Sequence, residues 1–207
     1  MEDKPKLYVF DFDGTLTSRD SLLAFIRYTH GSLAFYAGFT LFLPLLVLMK
    51  LHLLSNGKVK EWLLGCYYKG VHVDKMRHNA AAFAASHRHI LRPQAVDCLD
   101  KACRERSRIL IVTASDPLWV APFLDEWKAK AEDAGTRLTV VGTEMEVKDG
   151  RMTGRFATPN CYGAEKVRRI EAVIPHREHY RVLAFGDSRG DKEMLEYADE
   201  KFEKPFR

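Results

Sequence analysis

The chain has 207 residues, of which 46% are hydrophobic and 29% are charged, and its formal net charge is +4. This composition is that of a globular protein with a real core, and it excludes the disordered, collagen-like and coiled-coil classes. The mild positive charge is spread along the chain, whereas nucleic-acid binding needs a basic face, so we expect no nucleic-acid partner. Residues 31–49 contain no charged side chain, which raises the question of a membrane span.

Short apolar runs predict four buried strands, over residues 7–10, 109–112, 138–141 and 182–185. Helix-like stretches lie between them, over residues 117–134, 163–174 and 192–198. The Asp149-Gly150 dipeptide between alternating segments predicts a β-hairpin over residues 144–156. Strands that alternate with helices are typical of an α/β fold. We therefore predict a Rossmann-like, three-layer core with a mostly parallel sheet.

The segment from residue 18 to residue 106 breaks this alternation. It has no convincing strand, and it contains both the uncharged run and an alanine-rich stretch of high helix propensity at residues 79–90. We interpret it as a helical cap inserted after the first strand. The predicted domains are a core of residues 1–17 and 107–207, and a cap of residues 18–106.

Polar residues follow three of the predicted strands at the point where each one ends: Asp11, Thr113 and Asp187. The carboxyl ends of parallel strands share one edge of a sheet, so these side chains should converge. Asp13 lies two residues beyond Asp11, on the same side of an extended segment. Carboxylates this close repel each other unless a cation lies between them, and an oxygen-rich cluster of this kind suits Mg²⁺.

Lys166 is a candidate ligand for an anion at the same edge. It lies in the first turn of the helix predicted from residue 163, where a cation opposes the helix dipole. Such a position makes sense if the ammonium group contacts a transferring phosphoryl group. Gly14 lets the backbone turn closely past a ligand.

Four ordered motifs carry a resemblance to a known family: DFDGTLT at 11–17, VTAS at 112–115, Lys166 within GAEKVRR, and GDSRGD at 186–191. They resemble the motifs of the haloacid dehalogenase superfamily. The helical insertion and the hairpin are most similar to its phosphoserine-phosphatase-like branch (subfamily IB). The cap is similar to that of members that dephosphorylate phosphatidylglycerophosphate (the C type). The resemblance implies a haloacid-dehalogenase-like core with a helical cap of the C1 type.

The resemblance also implies a mechanism. Asp11 would be the nucleophile that forms an aspartyl-phosphate, and Asp13 would protonate the leaving alcohol and then activate water. Mg²⁺ would be held by the Asp11 and Asp187 carboxylates and the main-chain carbonyl of Asp13. Asp191 would support the metal, directly or through water, or would only cap the helix that follows it.

The remaining implied roles concern the phosphate. Thr113 would hydrogen-bond a phosphoryl oxygen, and Lys166 would neutralise charge on the phosphate and on the nucleophile. Ser115 and Gly14 are further candidates for contact with phosphate or substrate. Because an acid occupies position 13, the chain differs from the dehalogenases and P-type ATPases of this superfamily, which lack one there.

These residues predict a Mg²⁺-dependent phosphoric monoester hydrolase in the cytoplasm, either free or peripheral on the inner face of the membrane. Its substrate is expected to be a small phosphorylated metabolite, such as a phosphoserine-like compound, or a lipid phosphate. Two other functions stay open: a phosphotransferase or mutase on the same fold, and a catalytically idle, membrane-associated binding module. The oligomeric state is left open.

The uncharged run is too short for its length alone to settle whether it crosses a membrane. A single crossing would put Asp11 and Asp187 on opposite sides of the bilayer and divide the site, so we exclude it. Two interpretations stay open: packed cap helices bent near Pro44, or an exposed apolar surface that rests on a membrane. Basic residues flank the run and could meet anionic headgroups: Arg27, His30, Lys50 and Lys58.

Overall fold

The computed structural model describes residues 4–51 and 53–207. Its strands are β1 (Lys6–Phe10), β2 (Arg108–Val112), β3 (Leu138–Val141), β4 (Met145–Lys148), β5 (Arg151–Phe156), β6 (Arg181–Gly186) and β7 (Glu200–Glu203). Its helices are α1 (Ser21–Lys50), α2 (Asn56–Tyr68), α3 (Val73–Ser86), α4 (Pro93–Arg104), α5 (Pro117–Val120), α6 (Asp125–Asp133), α7 (Ala164–Val173) and α8 (Lys192–Tyr197).

A parallel sheet of five strands, in the order β3-β2-β1-β6-β7, forms the centre of the protein. Side chains of β1 point alternately to its two faces. Tyr8 and Phe10 belong to a core cluster with α4 and α6, whereas Leu7 and Val9 belong to a second cluster with α7 and α8. Helices therefore cover both faces, and the predicted three-layer α/β fold is confirmed.

Two elements differ from the sequence predictions. Strand β7 was not predicted, because the segment EKFE alternates only weakly and forms an edge of the sheet. The single helix predicted over 117–134 is instead α5, a short 3₁₀ turn (Ala121–Leu124) and α6. Pro122 lies inside that turn and has no backbone N–H to continue an α-helix.

The predicted hairpin is present as the antiparallel pair β4-β5. Asp149 and Gly150 both have positive φ, of 51° and 73°, as a two-residue turn of type I′ requires. The hairpin packs on α2, where Gly65 and Gly154 allow the two backbones to approach closely.

The insertion after β1 is helical, as expected. Helix α1 packs against α2 and α3, and α3 packs against α5 beside the sheet. Helix α4, which falls within the predicted cap range 18–106, packs instead against β2 and α6. The division into core and cap at residues 17, 18, 106 and 107 stays a prediction.

Helix α1 changes direction at Gly31, where φ is +78° and ψ is 166°. The predicted bend near Pro44 is wrong, because the non-helical residue inside α1 is Gly31 and Pro44 continues the helix. This backbone conformation is nearly exclusive to glycine. Residues 32–50, which follow the kink, are called the cap arm below.

Tyr67 of α2 is hydrogen-bonded to the main chain of the cap arm. The Tyr67 hydroxyl lies within hydrogen-bond distance of the main-chain oxygens of Ala34 (3.2 Å) and Phe35 (3.1 Å), either of which can accept its proton. Gly38 leaves room for this contact, since a Cβ there would lie 2.0 Å from the hydroxyl. The contact between the two helices therefore includes a hydroxyl group whose hydrogen-bond partner is supplied by the cap arm itself.

We expect Gly31→Ala to lower the free energy of unfolding by about 1–3 kcal/mol, because alanine is strained at this φ and ψ. No heavy atom of the described residues lies within 4 Å of the added Cβ, so the loss would report backbone strain and not a clash. Urea unfolding would measure it. Thr40→Ala, an exposed substitution in the same helix, is the control, and an equal loss in both variants would contradict the prediction.

Candidate active site

The ends of three adjacent strands meet where the sequence predicted. Asp11 follows β1, and its backbone N–H donates to Phe185 O of β6 at 2.9 Å. Thr113 follows β2, and Asp187 follows β6. Since β1 lies between β2 and β6, the parallel sheet alone brings these residues to one edge.

Lys166, in the first turn of α7, lies at the centre of this edge and is 2% exposed. Its Nζ donates to Asp11 Oδ1 at 2.6 Å, to Asp191 Oδ1 at 2.6 Å and to Val112 O at 2.8 Å. All three hydrogens of the ammonium group therefore have partners. This one side chain links β1, β2, α7 and the turn after β6.

Burial and charge act against each other in this group. Burial lowers the pKa of Lys166, but the carboxylates of Asp11 and Asp191 outweigh it and raise that pKa above its usual value. Burial raises the pKa of Asp11 to about 7, although Lys166 opposes the change. Lys166 also lowers the pKa of Asp191 in spite of its burial. Two carboxylates thus share one ammonium group, and its charge is too small to offset the effect of burial on the pKa of Asp11.

Three carboxylates form a cluster that could hold a cation. One oxygen each of Asp11, Asp187 and Asp191 lies within 4.8 Å of the others. Such an all-oxygen donor set fits Mg²⁺. The carboxylate of Asp13 is not part of this cluster, so its predicted metal contact concerns only the main-chain carbonyl.

Asp191 is already engaged in other contacts. Its Oδ2 accepts from the Asp187 N–H at 3.1 Å, the Ser188 N–H at 2.9 Å and the Ser188 hydroxyl at 2.8 Å, and its Oδ1 accepts from Lys166. These bonds include a capping box in the 3₁₀ turn Arg189–Asp191, with Ser188 as its N-cap. Within the described residues the Asp191 side chain makes no capping hydrogen bond to α8, so the alternative that it only caps the helix after it is wrong. Asp191 therefore orients its neighbours, and Asp11 and Asp187 are the freer donors.

Asp13 is held apart from that cluster by two serines. The Ser21 N–H donates to its Oδ1 at 2.6 Å, and the Ser115 hydroxyl donates to its Oδ2 at 2.6 Å. Burial raises the pKa of Asp13 and nearby Asp20 raises it further, and together they outweigh the hydrogen bonds from the two serines, which lower it. Ser21 begins α1, so the cap positions this side chain.

Gly14 makes the tight turn between Asp13 and Thr15 possible, with φ at +87°. A Cβ at this position would lie 2.6 Å from Asp187 Oδ2. The backbone at Gly14 thus approaches the site closely, as predicted, and the group that it approaches is the Asp187 carboxylate. Thr113 accepts from the Ser115 N–H at 3.0 Å, which leaves its hydroxyl hydrogen to donate.

Besides Ser21 and Ser188, three further residues contact this site without having been predicted from the sequence. The Thr15 hydroxyl donates to Asp11 Oδ2 at 3.0 Å, and the Arg207 guanidinium pairs with Asp187. Lys60 of α2 donates to Ala114 O at 2.7 Å, and burial lowers its pKa. Thr15 lies inside the first motif and could have been found there. Neither Lys60 nor Arg207 stands in a pattern that would single it out.

A cavity of about 440 Å³ opens above these groups. Its floor includes Asp11, Asp13 and Lys166, and its cap side carries the charged pair Asp20 and Lys60. Apart from the polar Asn56, the other cap residues that line it are apolar: Leu22, Leu23, Phe39, Leu46, Met49, Val59 and Leu63. The site therefore offers a polar floor for a phosphate and a largely apolar wall for the rest of a substrate.

Among the described residues, Ser21–Met49 is the one helix that is long and apolar enough to cross a membrane, and 6% of its most apolar stretch is buried. Asp11 precedes this helix and Lys166 follows it, yet the two share a hydrogen bond. The exclusion of a single crossing is therefore consistent with the assembled site.

The sequence model of the haloacid dehalogenase-like hydrolases matches residues 8–196. The chain belongs to this family. Protein CicA of Caulobacter vibrioides is 35% identical to it over 209 residues, which cover 100% of this chain and 89% of the relative. The predicted family is thus confirmed, and the chain is a hydrolase of the haloacid dehalogenase type.

Solved structures share this fold. A protein of unknown function from Bordetella pertussis superposes with a TM-score of 0.77 and 21% identity, covering 96% of this chain and 89% of that one. A phosphoserine phosphatase solved as a phospho-aspartyl intermediate analogue superposes with a TM-score of 0.64 and 17% identity, covering 96% and 86%. At these identities the likeness concerns the fold.

We expect Lys166→Met to lower the free energy of unfolding by about 3–5 kcal/mol, because it leaves two buried carboxylates without their counter-charge. Lys130 is the matched control: its Nζ also contacts two carboxylates, Asp100 at 2.8 Å and Glu126 at 2.6 Å, but its side chain is 42% exposed. Lys130→Met should cost no more than about 1 kcal/mol. Equal losses in urea unfolding would contradict this account.

Proposed function

We propose that the protein is a Mg²⁺-dependent phosphatase that hydrolyses a phosphate monoester through an aspartyl-phosphate on Asp11. The observation that carries this proposal is the division of labour between two carboxylates. Asp11 lies beside Lys166 in an acidic cluster, and Asp13 is held separately by Ser21 and Ser115. Burial and nearby Asp20 raise the pKa of Asp13, although the hydrogen bonds from the two serines oppose this change. A nucleophile and a general acid need these different surroundings.

In the first step, a carboxylate oxygen of Asp11 attacks phosphorus and the bond from phosphorus to the leaving oxygen breaks. Asp13 gives its proton to that oxygen, so the product leaves as an alcohol. Thr15 and Lys166 orient the attacking carboxylate through their hydrogen bonds. Thr113 is proposed to donate to a phosphoryl oxygen, and the positive charge of Lys166 is proposed to stabilise the negative charge that develops there.

In the second step, Asp13 removes a proton from water, and the resulting hydroxide attacks phosphorus. The bond from phosphorus to Asp11 breaks, which releases inorganic phosphate and restores Asp11 as a carboxylate and Asp13 as a protonated acid. Ser115 keeps Asp13 in place in both steps through the same hydrogen bond. Asp13 is thus acid and then base in one position.

Asp11 and Asp187 would hold Mg²⁺ together with the Asp13 main-chain carbonyl, and Asp191 would support the site through its contacts with Lys166 and Ser188. When bound, the cation supplies the positive charge that draws electron density from the phosphoryl group. Arg207 meets the same Asp187 carboxylate. It indicates that this carboxylate is accessible to a positive group.

Two substrate classes have support in the cavity. Asp20 and Lys60 would suit the amine and carboxylate of a phosphoserine-like metabolite. The apolar wall of Phe39, Leu46 and Met49 would suit the hydrocarbon part of a lipid phosphate. The expected location, cytoplasmic with or without peripheral membrane contact, stays a prediction.

The two rival functions lead to different chemistry. A phosphotransferase or mutase would pass the phosphoryl group from Asp11 to an alcohol in place of water. An idle binding module would need no positioned acid, and the hydrogen bonds that hold Asp13 argue against it. Hydrolysis needs only water as the acceptor of the phosphoryl group, so we favour the phosphatase.

We expect Asp11→Asn to abolish phosphate release, because the amide is not a nucleophile for phosphorus, while the free energy of unfolding stays within a few kcal/mol. Asp97→Asn, an exposed substitution on α4, should leave turnover unchanged. A Mg²⁺ chelator should suppress wild-type turnover, and added Mg²⁺ should restore it. Wild-type activity in Asp11→Asn would refute the mechanism, and beryllofluoride binding that needs Asp11 would exclude the idle module.

A phosphate-release screen would separate the substrate classes and the transferase. It should contain phosphoserine, sugar phosphates, nucleotides and detergent-solubilised lipid phosphates. Lys60→Met should reduce kcat/KM for a substrate with a carboxylate by at least tenfold and leave an uncharged leaving group nearly unaffected. With alcohols added as acceptors, a hydrolase releases free phosphate in step with substrate loss, whereas a transferase does not.

A further inference from the structure

The cap arm has two different faces, and the protein covers one of them. Its inner face is partly or fully buried against α2, the active-site cavity and the core: Phe35, Gly38, Phe39, Phe42, Leu45, Leu46 and Met49. Its outer face is exposed: Leu33, Ala34, Tyr36, Ala37, Thr40, Leu41, Leu43, Pro44, Val47 and Leu48. The inner face follows helical spacing, as expected for a packed helix.

The outer face is unusual because it is also apolar. Leu33 is 88% exposed, Leu41 is 70% exposed and Val47 is 57% exposed. Beyond the end of α1 the apolar surface continues with Leu51 and Leu53. A helix in contact with water normally carries polar side chains on its outer face, and an apolar area of this extent marks a contact with something else.

The polar side chains on this face are compatible with a hydrocarbon environment. The Thr40 hydroxyl donates to Tyr36 O, one turn earlier, at 2.8 Å, so it needs no external partner. Tyr36 lies near the start of the arm, where an aromatic ring with a hydroxyl group suits the boundary between water and lipid. The interpretation of residues 31–49 as packed cap core is therefore wrong for the outer face.

Positive charge lies at the base of the arm. A cleft of about 780 Å³ includes Arg19, Arg27, His87 and His89, with one acid, Asp20, and extends to Phe35 of the arm. The Arg27 Nε donates to the Ser32 hydroxyl at 3.0 Å, which fixes this guanidinium beside the first residue of the arm. Lys58, at the start of α2, is exposed near the other end.

This charge selects among the partners that could cover the face. In a symmetric dimer the same surface is contributed by both copies, and residues 31–49 contain no acidic side chain that could pair with the arginines. An anionic bilayer offers hydrocarbon for the outer face and phosphates for the arginines. Each basic residue near such a surface adds to the attraction.

We propose that the cap arm is a membrane-docking element that lies in the interface of an anionic bilayer. Its outer face enters the acyl region, and Arg19 and Arg27 contact the headgroup phosphates. The inner face keeps its place against α2 and the cavity. Docking therefore needs no rearrangement of the site, and it does not depend on the proposed phosphatase activity.

Vesicle flotation with the full chain tests this proposal. The wild type should float with vesicles of phosphatidylcholine and phosphatidylglycerol in equal parts, and several-fold less with phosphatidylcholine alone. The double variant Leu41→Glu/Val47→Glu should lose at least about tenfold in binding to the anionic vesicles, because two charges would enter the hydrocarbon. Neither residue lines the active-site cavity.

The matched control is Val147→Glu on the hairpin, where an apolar side chain is 44% exposed outside the arm. It should float like the wild type, and the thermal midpoints of all variants should agree within a few degrees. Arg19→Gln/Arg27→Gln should reduce the preference for anionic vesicles while weak binding to phosphatidylcholine persists.

Three results would overturn the proposal. The first is a wild type that floats with neither vesicle. The second is a Leu41→Glu/Val47→Glu variant that floats as well as the wild type. The third is a wild-type dimer in solution that those two substitutions dissociate without any flotation, which would assign the face to a second copy of the chain.

Discussion

The ammonium group of Lys166 is the interaction on which the rest of the site depends. A buried cation is tolerated only when its hydrogens and its charge are both matched, and here two carboxylates and one main-chain oxygen do so. Those three acceptors come from β1, β2 and the turn after β6. The arrangement exists only when the parallel sheet is complete, so the sheet and the chemical centre form together.

That centre has more negative than positive charge. Asp11, Asp187 and Asp191 lie within reach of one cation, and Lys166 is shared between Asp11 and Asp191. Burial also shifts the pKa of Asp11 upward, whereas the proposed role of Asp11 as nucleophile requires the ionised form. A divalent cation would correct both the repulsion and the protonation. Asp13 lies outside the cluster, and burial raises its pKa in spite of the hydrogen bonds from its two serines, so it can stay protonated at the same time.

Sequence patterns predicted the parts of the molecule that topology controls. Asp11, Thr113 and Asp187 had to meet, because they follow neighbouring parallel strands, and the Asp149-Gly150 turn had to form a hairpin. Contacts between residues that are far apart in the sequence and lie in no shared motif could not be predicted in the same way. Lys60 reaches the cavity from the cap, and no local pattern marks it. The sequence offers both Gly31 and Pro44 as positions at which helix α1 could bend. Only the backbone angles show that the bend is at Gly31. An apolar run likewise does not reveal which of its faces has a protein partner.

The two faces of the cap arm impose different kinds of constraint on the sequence. Inner residues must keep their shape: any side chain larger than hydrogen at position 38 would collide with Tyr67, and Phe39 and Met49 form part of the cavity wall. On a bilayer, as proposed, the outer residues would need only to stay apolar, because lipid chains are fluid and make no fixed contacts. Leucine, isoleucine, valine and phenylalanine would then be interchangeable along the outer face. Substitutions among apolar residues would then be tolerated on the outer face, while the inner face of the same helix must keep the size and shape of each side chain.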